Sequence, residues 1–127
     1  MNDIVREWVE KAEGDFHSAE RELRARKYPN YDAACFHSQQ CAEKYLKAFL
    51  VHRQVAFRPI HDLEILLGLI TPRHPEFELI RDLLLLLNDY AVDFRYPGTT
   101  ATKDKARAAV RAMRTVRAFI RQKLGLP

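Results

Sequence analysis

Three groups of residues in this sequence carry side chains able to hold an anion or move a proton. His61 stands directly before Asp62 and the apolar run LEILLGLI; Arg95 and Tyr96 stand directly before Pro97-Gly98; and His37, Gln40, Lys44 and Lys47 recur at spacings of three, four and three. Each group has a chemical reading and a plainer one. A histidine at a helix start lies where free backbone amides also attract phosphate. Equally, Asp62, or His61, simply caps those amides. A guanidinium beside a phenol can grip a phosphate and stack on a base, or Arg95 only satisfies the last carbonyls of its own helix. The third group lines one helical face, which is either a ligand surface or a solvated ridge strengthened by the Glu43 to Lys47 pair. One histidine beside one aspartate is too little for a catalytic dyad, so no catalytic residue is assigned.

Cys35 and Cys41 lie six apart on one expected helix, where their side chains cannot meet, and they read as reduced thiols. No CxxC or paired His/Cys set stands at ligand spacing, so neither a metal nor another cofactor is expected.

The elements that must position these groups are all helical, since no stretch alternates with period two between turn signals. Apolar residues at Ile4, Val5, Trp8, Ala12, Phe16, Ala19 and Leu23 predict a first helix over Asp3 to Arg26, ended by Tyr28-Pro29-Asn30. The second buries Ala34, Cys35, Ser38, Cys41, Ala42, Tyr45, Leu46 and Phe49, a stripe small enough in its middle for a neighbour to approach closely. After a loop containing Pro59, a short third helix begins at Asp62 and closes at Pro72. A fourth starts near Pro75, turns Phe77, Ile80, Leu83, Leu84 and Leu87 inward, and stops before Tyr96. The fifth starts near Thr102 and buries Ala106, Ala109, Val110, Met113, Val116, Ile120 and Leu124. Short connections between them predict an antiparallel up-and-down four-helix bundle with an additional short helix, as one domain over residues 1–127. The run Leu83 to Leu87 cannot face one core, because consecutive residues step about 100° around the helix, so part of it is expected to meet a second copy in a homodimer.

Composition sets the class. Hydrophobic residues make up 47% and charged residues 30% of the 127, which describes a folded globular chain. There is no export signal at the N-terminus and no apolar run near the roughly 20 residues that cross a bilayer, so a cytoplasmic protein without membrane association is expected. The formal charge of +4 is unevenly spread: between Thr102 and Lys123 eight Lys or Arg face the single acid Asp104, a local +7 that leaves −3 for the rest. That helix needs an anionic partner or an acidic neighbour within the fold. Lys103, Arg107, Arg111, Arg114 and Arg121 follow one face, but no aromatic residues interleave with them to stack bases, so RNA is not the favoured ligand.

The segments WVEKAEGDFHSAE, FHSQQCAEKYLKAFL, HDLEILL and FRYPG, in that order over nearly the whole chain, resemble the HEPN family, the higher eukaryotes and prokaryotes nucleotide-binding domain. The resemblance implies a dimeric helical bundle, a nucleotide ligand, and a minimal nucleotidyltransferase as protein partner in a two-component or toxin-antitoxin arrangement. It offers Arg95, Tyr96, His61, Asp62, His37, Gln40 and Lys44 as nucleotide-phosphate contacts. Some branches are metal-independent ribonucleases with an Arg-x(4 to 6)-His motif. None of His17, His37, His52, His61 or His74 has an arginine five to seven residues before it, so a non-nuclease branch is expected. A ribonuclease toxin and a structural dimer without ligand are the alternatives.

Overall fold

A computed structural model of the protein describes residues 1–94 and 96–127, and for Val92 and Asp93 the backbone alone. Five α-helices follow in order, α1 (Asp3–Arg24), α2 (Tyr31–His52), α3 (Leu63–Ile70), α4 (Arg81–Asp93) and α5 (Lys103–Lys123), and no strand occurs among the described residues. Four of them open on a side-chain cap that takes a free first-turn amide: Asn2 accepts from Val5 at 2.8 Å, Asn30 from Ala33 at 2.9 Å, Asp62 from Glu64 at 2.9 Å and Thr102 from Lys105 at 3.2 Å. The helix expected from Pro75 divides in two, a 3-10 stretch over Pro75–Ile80 and then α4. His74 gives that entry no side-chain cap, and tighter 3-10 winding is common at helix ends. α1 is two residues shorter than expected because Ala25 already takes extended backbone.

Cross-helix pairs give the directions. Glu13 meets Tyr45 and Asp15 meets Lys44, so α1 and α2 run antiparallel; Glu20 meets Arg114 and Glu13 meets Arg117, so α1 and α5 do too. Phe77 meets Phe119 and Phe94 meets Lys105, which makes α4 and α5 antiparallel. Helices α1, α2, α4 and α5 are therefore the four of the up-and-down bundle and α3 is the short addition. α2 is the central helix, packed on all four others.

Each position expected to be buried on α2 and α5 is buried. On α1, Val5, Ala12 and Ala19 are fully enclosed while Ile4 is 59% exposed. Ile4 lies on the outer side of α1, where it lines a surface hollow with Glu7, Trp8 and Lys11. Of the leucine run, Leu84 and Leu87 are fully buried and Leu83, Leu85 and Leu86 are half-buried. Both cysteines are free and buried; desolvation pushes the Cys35 thiol up to about 12 and raises that of Cys41 further.

The basic last helix finds its acids within the fold. Arg114 forks Glu20 at 2.6 and 2.7 Å, Arg117 forks Glu13 at 2.7 and 2.6 Å, and Arg121 lies 3.6 Å from Glu13 and donates to the Tyr45 hydroxyl at 3.0 Å. The Tyr45 hydroxyl in turn donates to Glu13 at 2.6 Å. The Arg117 guanidinium also stacks on Phe16, 4.3 Å from the ring centroid. Burial opposes the charge on Glu13, but hydrogen bonds from Arg117 and Tyr45 outweigh it and hold the carboxyl below its ordinary value. Arg114 does the same for Glu20. The C-terminal half of the stripe that resembled an RNA-facing surface is thus largely an internal clamp between α1 and α5.

Candidate functional site

Glu43 sits one turn after Gln39 on α2, on the side covered by the loop that leads into α3. Its carboxylate is 3% exposed and takes three donors: Lys47 Nζ at 2.9 Å, His61 Nδ1 at 3.1 Å and Gln39 Nε2 at 3.3 Å. The Lys47 ammonium, also buried, lies 5.5 Å from the Trp8 ring centroid and 5.9 Å from that of Phe57. A buried ion pair is tolerated only when its remaining donors and acceptors are met, and this one is enclosed by an amide, an imidazole and two aromatic faces. Gln39 Nε2 also donates to the His61 carbonyl at 3.1 Å, and Gln39 Oε1 accepts from Gln40 at 2.7 Å.

The consequence falls on His61. Its side chain is 78% exposed, yet its orientation is fixed from below, because Nδ1 donates to Glu43 and the backbone carbonyl is held by Gln39. Nε2 is then the ring atom presented outward. Beside it Asp62 accepts from the amides of Glu64 and Ile65 and from Asn88 Nδ2 at 3.1 Å, while Asn88 Oδ1 accepts from the Leu63 amide at 2.9 Å. Those bonds decide the capping question for Asp62. They also remove the phosphate reading of the α3 N-terminus, since the amides of Leu63, Glu64 and Ile65 are already taken.

His61, Asp62, Gln39, Gln40, Asn88 and Phe36 line an open recess of about 330 Å³, with Ala91 at its edge. Three carboxamides and an imidazole around an aromatic wall suit a flat, heteroatom-rich ligand. Three of the expected site residues, His61, Asp62 and Gln40, are brought together here. His37 and Lys44 are not: they turn to α1, where Asp15 meets His37 Nδ1 at 2.8 Å and Lys44 Nζ at 2.5 Å. The polar ridge is therefore not one surface. Lys47 leaves it for the buried pair, and the Glu43 to Lys47 pair, read from spacing as solvated, is enclosed because the loop over residues 53–62 roofs it. Tyr96 is exposed just beyond α4, and Arg95 lies outside the described residues. Spacing alone missed Glu43, Gln39 and Asn88. The one available signal was the i, i+4, i+8 series Gln39, Glu43, Lys47, which marks a shared face without telling what covers it.

A sequence model described as the HEPN domain matches residues 5–123. The crystal structure of TT1696 from Thermus thermophilus superposes with a TM-score of 0.78 at 25% identity, over 96% of this chain and 99% of that one. ST0689, described as an archaeal HEPN homologue, superposes with a TM-score of 0.75 at 24% identity, over 94% of this chain and 96% of that one. No curated protein sequence matches significantly.

Proposed function

We propose, from the premise that this chain belongs to the HEPN domain family, that it is a nucleotide-binding module whose ligand occupies the His61 recess. The observation that carries this reading is the pinned His61, held by Glu43 with Nε2 facing a recess walled by Gln39, Gln40, Asn88 and Phe36. The remaining donor and acceptor capacity of Gln40 and Asn88 can match the edge of a base, Phe36 offers a ring to pack on it, and His61 in its imidazolium form donates from Nε2 to a phosphate oxygen. Because the α3 amides are occupied, the base and sugar supply most of the recognition and the phosphates less. AMP and adenosine, compared with other nucleosides by calorimetry, test this directly. We expect His61→Ala and Asn88→Ala each to weaken nucleotide binding about tenfold, the size of one lost hydrogen bond to a charged or buried group. Lys44→Ala and His37→Ala should leave it unchanged. Equal losses from all four would place the ligand elsewhere.

A histidine backed by a buried carboxylate is also the arrangement a general base uses, so a ribonuclease remains the second reading. The Arg-x(4 to 6)-His spacing is absent, and a labelled RNA incubated with the protein without metal should stay intact. Cleavage that vanishes in His61→Ala would establish the second reading in place of the first.

The protein partner implied by the family is a minimal nucleotidyltransferase, to be sought by co-purification with the product of a neighbouring gene. A homodimer is proposed on Leu79, which is 79% exposed, and on the half-buried Leu83 and Leu86 that follow it at spacings of four and three. Sedimentation equilibrium at micromolar concentration should give twice the chain mass, and Leu79→Glu combined with Leu83→Glu should give the monomer.

A further inference from the structure

We infer that a cleft at the far end of α3 from His61 is a docking site for an acidic protein segment that inserts one branched apolar side chain. The cleft lies where the ends of α2 and α3 meet, and the eight residues of α3 separate it from the His61 recess by about 12 Å. Its floor is aliphatic, made by Leu50, Val55, Leu69 and Ile70, and its rim is basic, made by Arg53, Arg73 and His74. The two helix ends hold these groups in place. After α2 the Val55 amide donates back to the Leu50 carbonyl at 2.9 Å and the Gln54 amide to that of Val51 at 3.0 Å, with Gln54 in the left-handed region at φ 59°. Val55 is thereby folded back over Leu50, while Arg53 stays exposed beside it. After α3 the amides of Arg73 and His74 both return to the Ile70 carbonyl, at 3.2 and 3.0 Å, which carries the chain around the other side of the cleft.

Charge, size and surface together point to the occupant. Among the described residues no acid lines the cleft, and neither the Arg53 nor the Arg73 guanidinium meets a carboxylate. Both arginines also suit the negative ends of α2 and α3, but that role needs no apolar hollow between them. The hollow, about 40 Å³, takes the tip of one side chain and is too small for a mononucleotide. Ile65 and Leu69, 52% and 39% exposed and one turn apart on α3, continue the apolar surface away from it, so the contact suits a segment of chain better than a free small acid. A nucleic-acid strand finds no face to stack on, because Phe49 is 3% exposed and His74 meets its ring edge-on with centroids 5.0 Å apart. An apolar anchor with carboxylates on each side matches the floor and the rim at once.

Fluorescence anisotropy with a labelled peptide of Asp and Glu around one leucine tests the inference, beside the same peptide with alanine in place of the leucine. Wild-type protein should bind the leucine peptide saturably below about 1 mM and the alanine peptide at least about tenfold more weakly, as the loss of a buried apolar group requires. Arg53→Ala combined with Arg73→Ala should weaken binding about tenfold or more and lessen its dependence on salt. Leu69→Ala should weaken it about fivefold with the salt dependence unchanged. The charge-matched Arg24→Ala with Arg26→Ala, at the opposite end of the bundle, should change affinity less than about twofold. All five side chains are exposed, and unchanged thermal unfolding of each variant separates a loss of binding from a loss of fold. Absence of saturable binding, equal binding of the two peptides, or an equal loss in the charge-matched control would each overturn the inference. Displacement by oligothymidylate as effective as by unlabelled peptide would overturn it in favour of a nucleic-acid strand. Since neither Arg53 nor Arg73 lines the His61 recess, failure here and failure of the nucleotide reading are separate results.

Discussion

Glu43→Ala is expected to lower the free energy of unfolding by about 3 to 5 kcal/mol, the cost typical of removing one member of a buried ion pair. The loss comes less from the missing attraction than from what stays behind. Lys47, buried between Trp8 and Phe57, is left without a counter-ion, and Gln39 and His61 lose an acceptor. Urea denaturation should show a lower midpoint at an unchanged slope. The double substitution Glu43→Leu with Lys47→Met removes both charges and should recover most of that stability. It should not recover nucleotide binding, because the His61 ring then lacks the carboxylate that orients it, although Gln39 still holds its backbone carbonyl. If the single and double variants are equally unstable, the pair's charge was not the cause.

Glu13→Ala is the next largest effect, about 2 to 3 kcal/mol, because one carboxylate serves Arg117, Arg121 and the Tyr45 hydroxyl. Glu13 keeps 23% side-chain exposure, so water relieves part of the loss. The same group sets an acid limit. Its folded-state carboxyl lies below the ordinary 4.5, as does that of Glu20, so both contribute stability that is present above about pH 4.5 and lost as pH falls below it. Melting temperature followed from neutral pH downward should fall in that window for the wild-type chain and fall less steeply for Glu13→Ala. A parallel drop in the two proteins would mean that the acid sensitivity lies elsewhere.

The bundle was readable in the sequence because helix packing leaves a period in it. Every expected inward position of α2 and α5, from Ala34 to Phe49 and from Ala106 to Leu124, is buried. Periodicity says which residues share a face but not what that face meets. His37 and Lys44 looked continuous with Gln40, yet they meet Asp15, an acid set among the apolar positions of α1. Glu43 and Lys47 looked solvated because their cover comes from Phe57 and His61 in a loop, where no period announces a contact. The charge imbalance of α5 was visible in composition, and its resolution by Glu13 and Glu20 needed the antiparallel register of α1. Asp62 was legible as a cap, but its tie to Asn88, 26 residues away, was not.

The two cysteines give the folded chain a built-in gauge of its own opening. A thiol that is buried and held well above its ordinary value carries almost no thiolate, so alkylating reagents at neutral pH reach it only when the helices around it part. Cys35 lies near Asp32 and Lys105, at the end of the bundle where α5 begins, whereas Cys41 lies among Glu13, Asp15 and Arg117, where α1 crosses the middle of α2. Their modification rates, followed by mass spectrometry on the unaltered protein, would therefore distinguish fraying at the end where α5 begins from opening at the middle of the bundle, where α1 and α5 both lie beside Cys41. Equal rates would mean that the bundle opens as one unit.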